Sequence, residues 1–258
     1  MPRAPVPRAG RAVRAAVFCA AGLLAATACG YGRADRAAEA PASARATPPA
    51  APATVLTTAQ AQAALLTEGD LGPPWAPTQG AATWRDGVLK ARADSPDCQR
   101  LLDALYADEL LGAPPSAHAV AAFDDADDDA QLRYQVLSLR AADVDRGLAW
   151  MRTLPQTCAS FTATTTRAGV QAVEVHELAL PEVGDARAGL RVTFTGESAD
   201  GEIVPTLTLD VAAVRLTDDA ITLTNGTQGA PLTDGVSQPL NTGVQRLTAV
   251  HHQSRAQA

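Results

Sequence analysis

The sequence predicts an α+β protein in which one antiparallel β-sheet has helices packed on one face, all within a single domain. Leu190, Val192 and Phe194 alternate with polar residues, as a half-buried strand requires, and 203–211 follows the same period of two. By contrast, 97–111 carries its leucines on one broad face, which is typical of an amphipathic helix. Short turns separate the strands, and this favours antiparallel pairing.

The same periodicities assign the remaining helices and strands in order along the chain. Turn residues mark their ends: Gly112 ends one helix, Pro155 is expected to end another, and Asn225-Gly226 is expected to end the last strand. The predicted helices are 59–66, 97–111, 144–154 and 233–251, and the predicted strands are 117–123, 131–140, 170–180, 190–195, 203–211 and 220–224.

The N-terminus has the composition of an export signal. A basic segment ends at Arg14, and the next fourteen residues, 15–28, contain only one polar side chain. A membrane-spanning helix needs about 20 apolar residues, so this run is too short to span a bilayer. Residues 1–28 are therefore predicted to be a signal peptide that is removed after export.

Two cleavage reactions fit the residues that end this signal. Ala28 immediately precedes Cys29, which resembles the bacterial lipobox, although Ala26 stands where Leu is usual. Cys29 is then expected to become a lipidated N-terminus, modified by diacylglycerol and palmitate, in the cytoplasmic membrane. Ala26-Thr27-Ala28 also satisfies the ordinary signal-peptidase rule, which would release a secreted protein. Lipidation is favoured because an unmodified Cys29 would be an odd exposed thiol in an oxidising compartment.

After Cys29 the chain divides into a tether and a folded domain. Residues 29–54 are rich in Ala, Pro, Arg and Ser and have no apolar periodicity, so they predict a flexible tether, and 55–258 forms the domain. The whole chain has a net charge of −7, and removing the four arginines of the signal leaves −11. A surface this acidic argues against nucleic-acid binding.

The two cysteines of the predicted domain are expected to pair. Cys98 lies at the start of a predicted helix and Cys158 lies just after another. A bridge between them would close a loop of about 60 residues and stabilise the fold by roughly 4 kcal/mol. Two reduced, structural cysteines are the alternative.

An acidic turn is the best candidate for a metal site in the chain, but it does not match the full ligand spacing of an EF-hand calcium loop. Asp125, Asp127 and Asp129 match the first ligands of an EF-hand. Ala130 then stands where the loop needs Gly, and Val136 where it needs a bidentate Glu. A solvated hairpin turn is predicted, with a weak calcium contact as the alternative.

Other catalytic and cofactor motifs are also incomplete in the sequence. His176-Glu177 begins like a zinc-protease motif, but no second histidine follows, and 235–239 lacks the final Gly of a nucleophile elbow. His251-His252 is expected to be an exposed pair at a frayed C-terminus. We therefore expect no enzyme activity, no metal and no cofactor, and a hydrolase site assembled only by folding is the remaining alternative.

Several short features together resemble the extracellular sensor-like domain of PknH-type actinobacterial kinases, which also occurs alone in exported lipoproteins. The resemblance covers about 55–252. The features are Leu65-Leu66, Asp70-Leu71-Gly72, Trp75, Cys98 at the start of a helix, Trp150 in a helix leading to Cys158 and Phe161, and a terminal amphipathic helix. The resemblance implies an antiparallel sheet with packed helices, disulfide support and a ligand cleft. The family pattern has two disulfides, whereas the domain here has cysteines for one. An actinobacterial source also fits the single lysine among twenty arginines.

These expectations combine into one functional hypothesis and one alternative. The chain is expected to be a membrane-tethered, extracytoplasmic lipoprotein with a ligand-binding or sensor-like domain. The alternative is a structural protein that binds an envelope partner through its surface. If there is a cleft, it is expected between the sheet and its helices, near Trp75, Trp84 and Trp150, because aromatic rings commonly line such clefts. These tryptophans could equally be ordinary core residues.

Overall fold

Nine antiparallel strands form one sheet in the part of the chain that the computed structural model describes, which is residues 56–79, 84–113, 118–197 and 203–257. The predicted signal peptide, Cys29 and the tether lie outside these residues. The helices are α1 (Thr58–Ala63), α2 (Glu68–Leu71), α3 (Pro96–Ala107), α4 (Ala141–Thr157) and α5 (Ser237–Gln257), with a short π-helix at Arg85–Leu89. The strands are β1 (Ala76–Pro77), β2 (Arg92–Ala93), β3 (His118–Asp125), β4 (Ala130–Ser138), β5 (Ser160–Thr165), β6 (Gly169–Glu177), β7 (Ala186–Glu197), β8 (Ile203–Leu216) and β9 (Asp219–Thr227). The predicted α+β class and antiparallel sheet are confirmed.

The strand order across the sheet is β1-β3-β4-β9-β8-β7-β6-β5-β2. The chain contributes the two short edge strands β1 and β2 before the β3–β4 hairpin. It then crosses through α4 to the β2 side of the sheet and returns strand by strand from β5 to β9. β9 then pairs with β4, and this pairing joins strands β1, β3 and β4 to the remaining strands in one continuous sheet. Both edge strands are only two residues long, and such short edges limit pairing with other chains.

Helices cover both faces of the sheet, whereas the sequence led us to expect one covered face. Leu209 and Val211 of β8 belong to the core cluster that contains α3 and α4. Ala212 and Val214 belong to the cluster that contains α1 and α5. Since neighbouring residues of a strand point to opposite faces, the two helix groups lie on opposite sides. The physical reason is the uninterrupted apolar run at 211–214, which requires burial on both faces.

Each helix group covers only part of its face. On the side of α1 and α5, the sheet is open over β5 and β6, where Ser160, Thr162, Ala172 and Glu174 are exposed. The period-two pattern that predicted a half-polar sheet came from β7 and β8, and β6 shows the same alternation in this open region. Among the described residues, none of the helices is long and apolar enough to cross a membrane.

Several predicted ends differ from the structure; α3, for example, ends at Ala107 and not at Leu111. The short elements α2, β1, β2 and the π-helix were not predicted. Pro155 lies inside α4, which continues to Thr157, because a proline in the last turn removes only one helical hydrogen bond. β5 was not predicted, although its residues alternate between exposed and buried. Its polar threonines conceal that alternation, since only Phe161 is strongly apolar.

Gly226 lies within β9 and does not end it. A Cβ on Gly226 would lie 2.5 Å from Cζ2 of Trp84. The glycine therefore makes room for an indole ring against the sheet instead of forming a turn. Asn225, its neighbour, is buried, and its side-chain amide donates to the carbonyl of Gly235 at 3.1 Å.

A disulfide joins Cys98 and Cys158, as the sequence predicts, with 5.6 Å between the Cα atoms. Cys98 lies in the first turn of α3, and Cys158 directly follows α4. Both residues belong to the same core cluster. The bridge therefore ties together the two helices that cover one face of the sheet.

Candidate ligand-binding cleft

An open cleft of about 680 Å³ lies where α4 leaves the sheet. Its walls are the C-terminal half of α4, the adjoining ends of β6 and β7, and the connecting loop 178–185. The volume is within the range of about 300–1,000 Å³ that is typical of small-molecule sites. The cleft is thus at a boundary between the sheet and a covering helix, whereas the sequence led us to expect a cleft near Trp75, Trp84 and Trp150.

Small residues on β7 create the space for this cleft. Ala186 and Ala188 of this strand face α4 and line the cleft with Pro155, whereas Gly189 faces the other side of the sheet. A Cβ on Gly189 would lie 2.5 Å from the carbonyl oxygen of Leu178, so the glycine allows the loop to cross directly over the strand. The result is a helix and a loop held on either side of a strand that carries few bulky side chains.

Both ends of loop 178–185 are fixed by hydrogen bonds. At one end, the Leu178 amide donates to the carbonyl of Gly189 at 3.0 Å. At the other end, the Asp185 amide donates to the carbonyl of Arg215 at 2.8 Å, and the Asp185 carboxylate accepts from the Thr217 amide at 2.7 Å. The loop therefore forms a fixed wall of the cleft.

The charged side chains of the cleft differ in how they are engaged. Arg187 forms an ion pair with Glu182, which links β7 to the loop. Nη2 of Arg152, on α4, donates to the backbone carbonyl of Arg187 at 2.7 Å. Glu177, at the end of β6, is exposed at the cleft. Apolar side chains from the loop and β7 complete a mixed lining.

Two further open cavities lie near edge strand β2. One has a volume of about 400 Å³ and lies between the π-helix, α3 and β5. The other has a volume of about 490 Å³ and lies at the start of α3. Arg92 lines both cavities and is exposed. They are smaller than the α4 cleft and do not lie between a helix and the end of β7.

The structure does not bring the three candidate tryptophans together. Trp75 packs against the core cluster of α1 and α5, whereas Trp84 and Trp150 pack against the cluster of α3 and α4. The guanidinium of Arg100 lies 4.4 Å from the ring centre of Trp150, in a cation–π arrangement. None of the three cavities described above has a tryptophan in its lining.

Sequence reasoning missed the residues that line the α4 cleft. Arg152 was not singled out, and Glu177 was considered only as part of an incomplete zinc motif. One signal was available, which is the small pair Ala188-Gly189 inside a strand, with Ala186 two residues before it. Small residues there indicate a place where the strand makes room for another segment.

The acidic hairpin turn is organised by its own backbone. Oδ1 of buried Asp125 accepts hydrogen bonds from the amides of Asp127 at 3.0 Å and Asp128 at 3.3 Å. Asp127, Asp128 and Asp129 are themselves exposed. Within the described ranges there is no group of three or more His, Cys, Asp or Glu side chains that could hold a metal ion.

His251 is a structural residue of α5, not part of a frayed end. Its Nε2 lies 3.0 Å from Oδ2 of Asp219, and α5 continues beyond it to Gln257. Asp219 is buried at the start of β9, and this burial raises the pKa of its carboxyl group. The contact helps to hold the C-terminal helix against the sheet.

Comparisons with known proteins give only partial structural similarities at low sequence identity. No protein-family model and no curated protein matches the chain. The extracellular domain of PknH from Mycobacterium tuberculosis has a TM-score of 0.46 and 14% identity, over 77% of this chain and 98% of that one. Protein Ms6760 from Mycobacterium smegmatis has a TM-score of 0.26 and 10% identity, over 51% of this chain and 96% of that one. The Saccharomyces cerevisiae Ran-binding protein Mog1p has a TM-score of 0.25 and 15% identity, over 55% of this chain and 75% of that one. The roles assigned to residues of the cleft are therefore argued from this structure alone.

Proposed function

We propose that this chain is an exported, lipid-anchored protein whose domain binds a small ligand outside the cytoplasm and does not catalyse a reaction. The observation that carries the binding proposal is the cleft of about 680 Å³ between α4, β7 and loop 178–185. Its lining combines charged and polar groups with a smaller share of apolar surface. Polar groups that converge on one concavity can fix the orientation of a ligand. The sequence supplies no complete nucleophile or cofactor motif that would favour catalysis.

Export and anchoring are supported by the N-terminal sequence and by the disulfide. Disulfides persist in oxidising, extracytoplasmic compartments and are rare in the cytosol. The buried bridge between Cys98 and Cys158 therefore fits a domain that acts outside the cytoplasm. Lipidation of Cys29 would hold that domain at the membrane through the tether 29–54.

The anchor is tested by detergent-phase partitioning of the protein expressed with its own signal. Wild-type protein is expected in the detergent phase, and Cys29→Ser is expected in the aqueous phase, because it lacks the acylated thiol. Mass spectrometry of the N-terminus identifies the lipid. Wild-type protein in the aqueous phase with an unmodified Cys29 would instead indicate a secreted form.

The alternative, a protein that binds an envelope partner through its surface, has less support. Partner-binding surfaces are commonly marked by contiguous exposed apolar patches. Over the residues that the structure describes, the exposed large hydrophobic side chains comprise Val170 alone, at 65%. The open part of the sheet around it is mostly polar, with exposed Ser, Thr and Glu side chains.

Ligand binding is tested by thermal unfolding of the full-length protein with a panel of amino acids, dipeptides, hexoses, hexose phosphates and carboxylic acids. A bound ligand stabilises the folded state and raises Tm. Ala179→Trp would fill the cleft from the loop side, whereas Ala172→Trp places the same ring on the open face of β6. At least one class should raise the wild-type Tm, and only Ala179→Trp should abolish the rise. No rise with any compound, or equal loss in both variants, would reject the proposal.

A further inference from the structure

We infer that the ligand of this cleft is zwitterionic, namely an amino acid or short peptide whose free carboxylate binds Arg152 and whose free ammonium group binds Glu177. The inference rests on the proposed ligand-binding function of the cleft. It follows from which charged side chains are already paired and which are not.

Three of the five charged side chains that line the cleft are engaged within the protein. Glu182 and Arg187 neutralise each other in an ion pair. Asp185 accepts a hydrogen bond from the Thr217 amide at 2.7 Å, and its carboxylate lies 3.4 Å from Nη1 of Arg215. These three groups are committed to fixing the loop and β7.

The other two charged side chains, Arg152 and Glu177, have opposite signs. Within 56–79, 84–113, 118–197 and 203–257, neither of them has an ion-pair partner. A ligand complementary to this pair carries one negative and one positive group. A ligand that carries only negative groups would bring like charge towards Glu177, and a neutral sugar would gain no charge–charge attraction from either side chain.

Arg152 is held in a position suited to a carboxylate. The hydrogen bond from its Nη2 to the Arg187 carbonyl, at 2.7 Å, uses part of the guanidinium and anchors it at the cleft. A guanidinium has five N–H donors, so the rest of the group is available for a carboxylate, which arginine binds through two parallel hydrogen bonds. Glu177 is acceptor-only when ionised, and this suits an ammonium group.

The remaining lining explains why the ligand should also have an apolar part. Leu178 and Leu180 of the loop, Ala186 of β7 and Pro155 of α4 are half-buried and contribute apolar surface to the cleft. An amino acid or short peptide supplies both charged termini and an apolar side chain between or beside them. The charge pattern and the apolar walls therefore indicate the same ligand class.

The inference is tested by calorimetric titration of the full-length protein with leucyl-alanine, its N-acetylated form and its C-terminal amide. Each modification removes one charge, and the loss of a charge-assisted hydrogen bond should weaken binding about tenfold or more. Arg152→Ala should remove the discrimination against the amide only, and Glu177→Gln should remove the discrimination against the acetylated form only. Arg146→Ala on α4 and Glu174→Gln on β6 are matched controls outside the cleft, and both should behave like wild type.

The possible results separate the inference from the proposed function. Equal binding of all three dipeptide forms, or no binding of leucyl-alanine, overturns the zwitterion inference. If another compound of the thermal panel still binds and Ala179→Trp abolishes its effect, the proposed function stands without the inference. If no compound of the panel binds, both are rejected.

Discussion

Removing the disulfide between Cys98 and Cys158 should destabilise the domain by about 4 kcal/mol. The two cysteines are separated by 60 positions, and in the chain-entropy model closing a loop of this length restricts the unfolded chain by about that amount. Both residues are almost fully buried, at 2% and 1% exposure, so Cys98→Ala/Cys158→Ala also avoids placing a polar hydroxyl in the core. Small domains have a total stability of about 5–15 kcal/mol, which makes this loss large.

Urea denaturation followed by circular dichroism measures the effect. Oxidised wild type, reduced wild type and the double alanine variant are compared under the same conditions. The reduced protein and the variant should share a lower midpoint, because both lack the same restriction on the unfolded chain. Alkylation with iodoacetamide should modify Cys98 and Cys158 only after reduction.

Three results would contradict the reasoning, each at a different step. A loss below about 1 kcal/mol in both the reduced protein and the variant would show that the chain-entropy estimate does not describe this unfolded state. Alkylation of both thiols in native protein without reduction would show that the bridge itself is absent. A reduced protein much less stable than the variant would point to a cost of burying two thiols instead.

Two further predictions concern packing and pH. Gly226→Ala should destabilise the domain by about 1–3 kcal/mol, because its Cβ would lie 2.5 Å from the Trp84 ring. Urea denaturation should show that Trp84→Phe partly restores the stability of Gly226→Ala. Gly87→Ala is the control, because a Cβ there meets no other atom within 4 Å, and an equal loss of stability in both glycine variants would contradict the prediction. Asp70 lies in a partly exposed setting where desolvation opposes ionisation, yet hydrogen bonds from Arg246 and Thr67 lower the pKa of its carboxyl group overall. Its stabilisation should therefore be present above the unfolded pKa of about 3.9 and be lost as pH falls below it. Asp70→Asn should cost about 1 kcal/mol at pH 7 and progressively less as pH falls through the lowered pKa of the folded state, whereas a pH-independent difference would show that ionisation is irrelevant.

Local patterns in the sequence predicted most helices and strands but not all of their ends. The alternation around Val192 and the leucine face of α3 report local burial directly, so these elements appear where they were expected. Pro155 and Gly226 misled because each has two structural uses. Proline can end a helix or be tolerated in its last turn, and glycine can form a turn or make room for a ring.

The candidate cleft was predictable in kind and not in its residues. A boundary between the sheet and a helix was the expected place, and the cleft lies at one. Aromatic rings were the expected lining, but Trp75, Trp84 and Trp150 pack into two separate core clusters. Large rings contribute most when buried, so a tryptophan indicates core at least as strongly as it indicates a ligand site.

The sequence by itself determined the α+β class, the antiparallel pairing and the partner of each domain cysteine, because these depend on local periodicity and on a count of two. Only the tertiary structure decided that helices cover both faces, that Trp84 lies over Gly226, and that Arg152 and Glu177 meet at one cleft. The last pair is separated by β5 and most of β6 along the chain. Contacts between distant segments depend on the order of the strands in the sheet and on which strands pair with each other. The local pattern of a single sequence does not specify either of these.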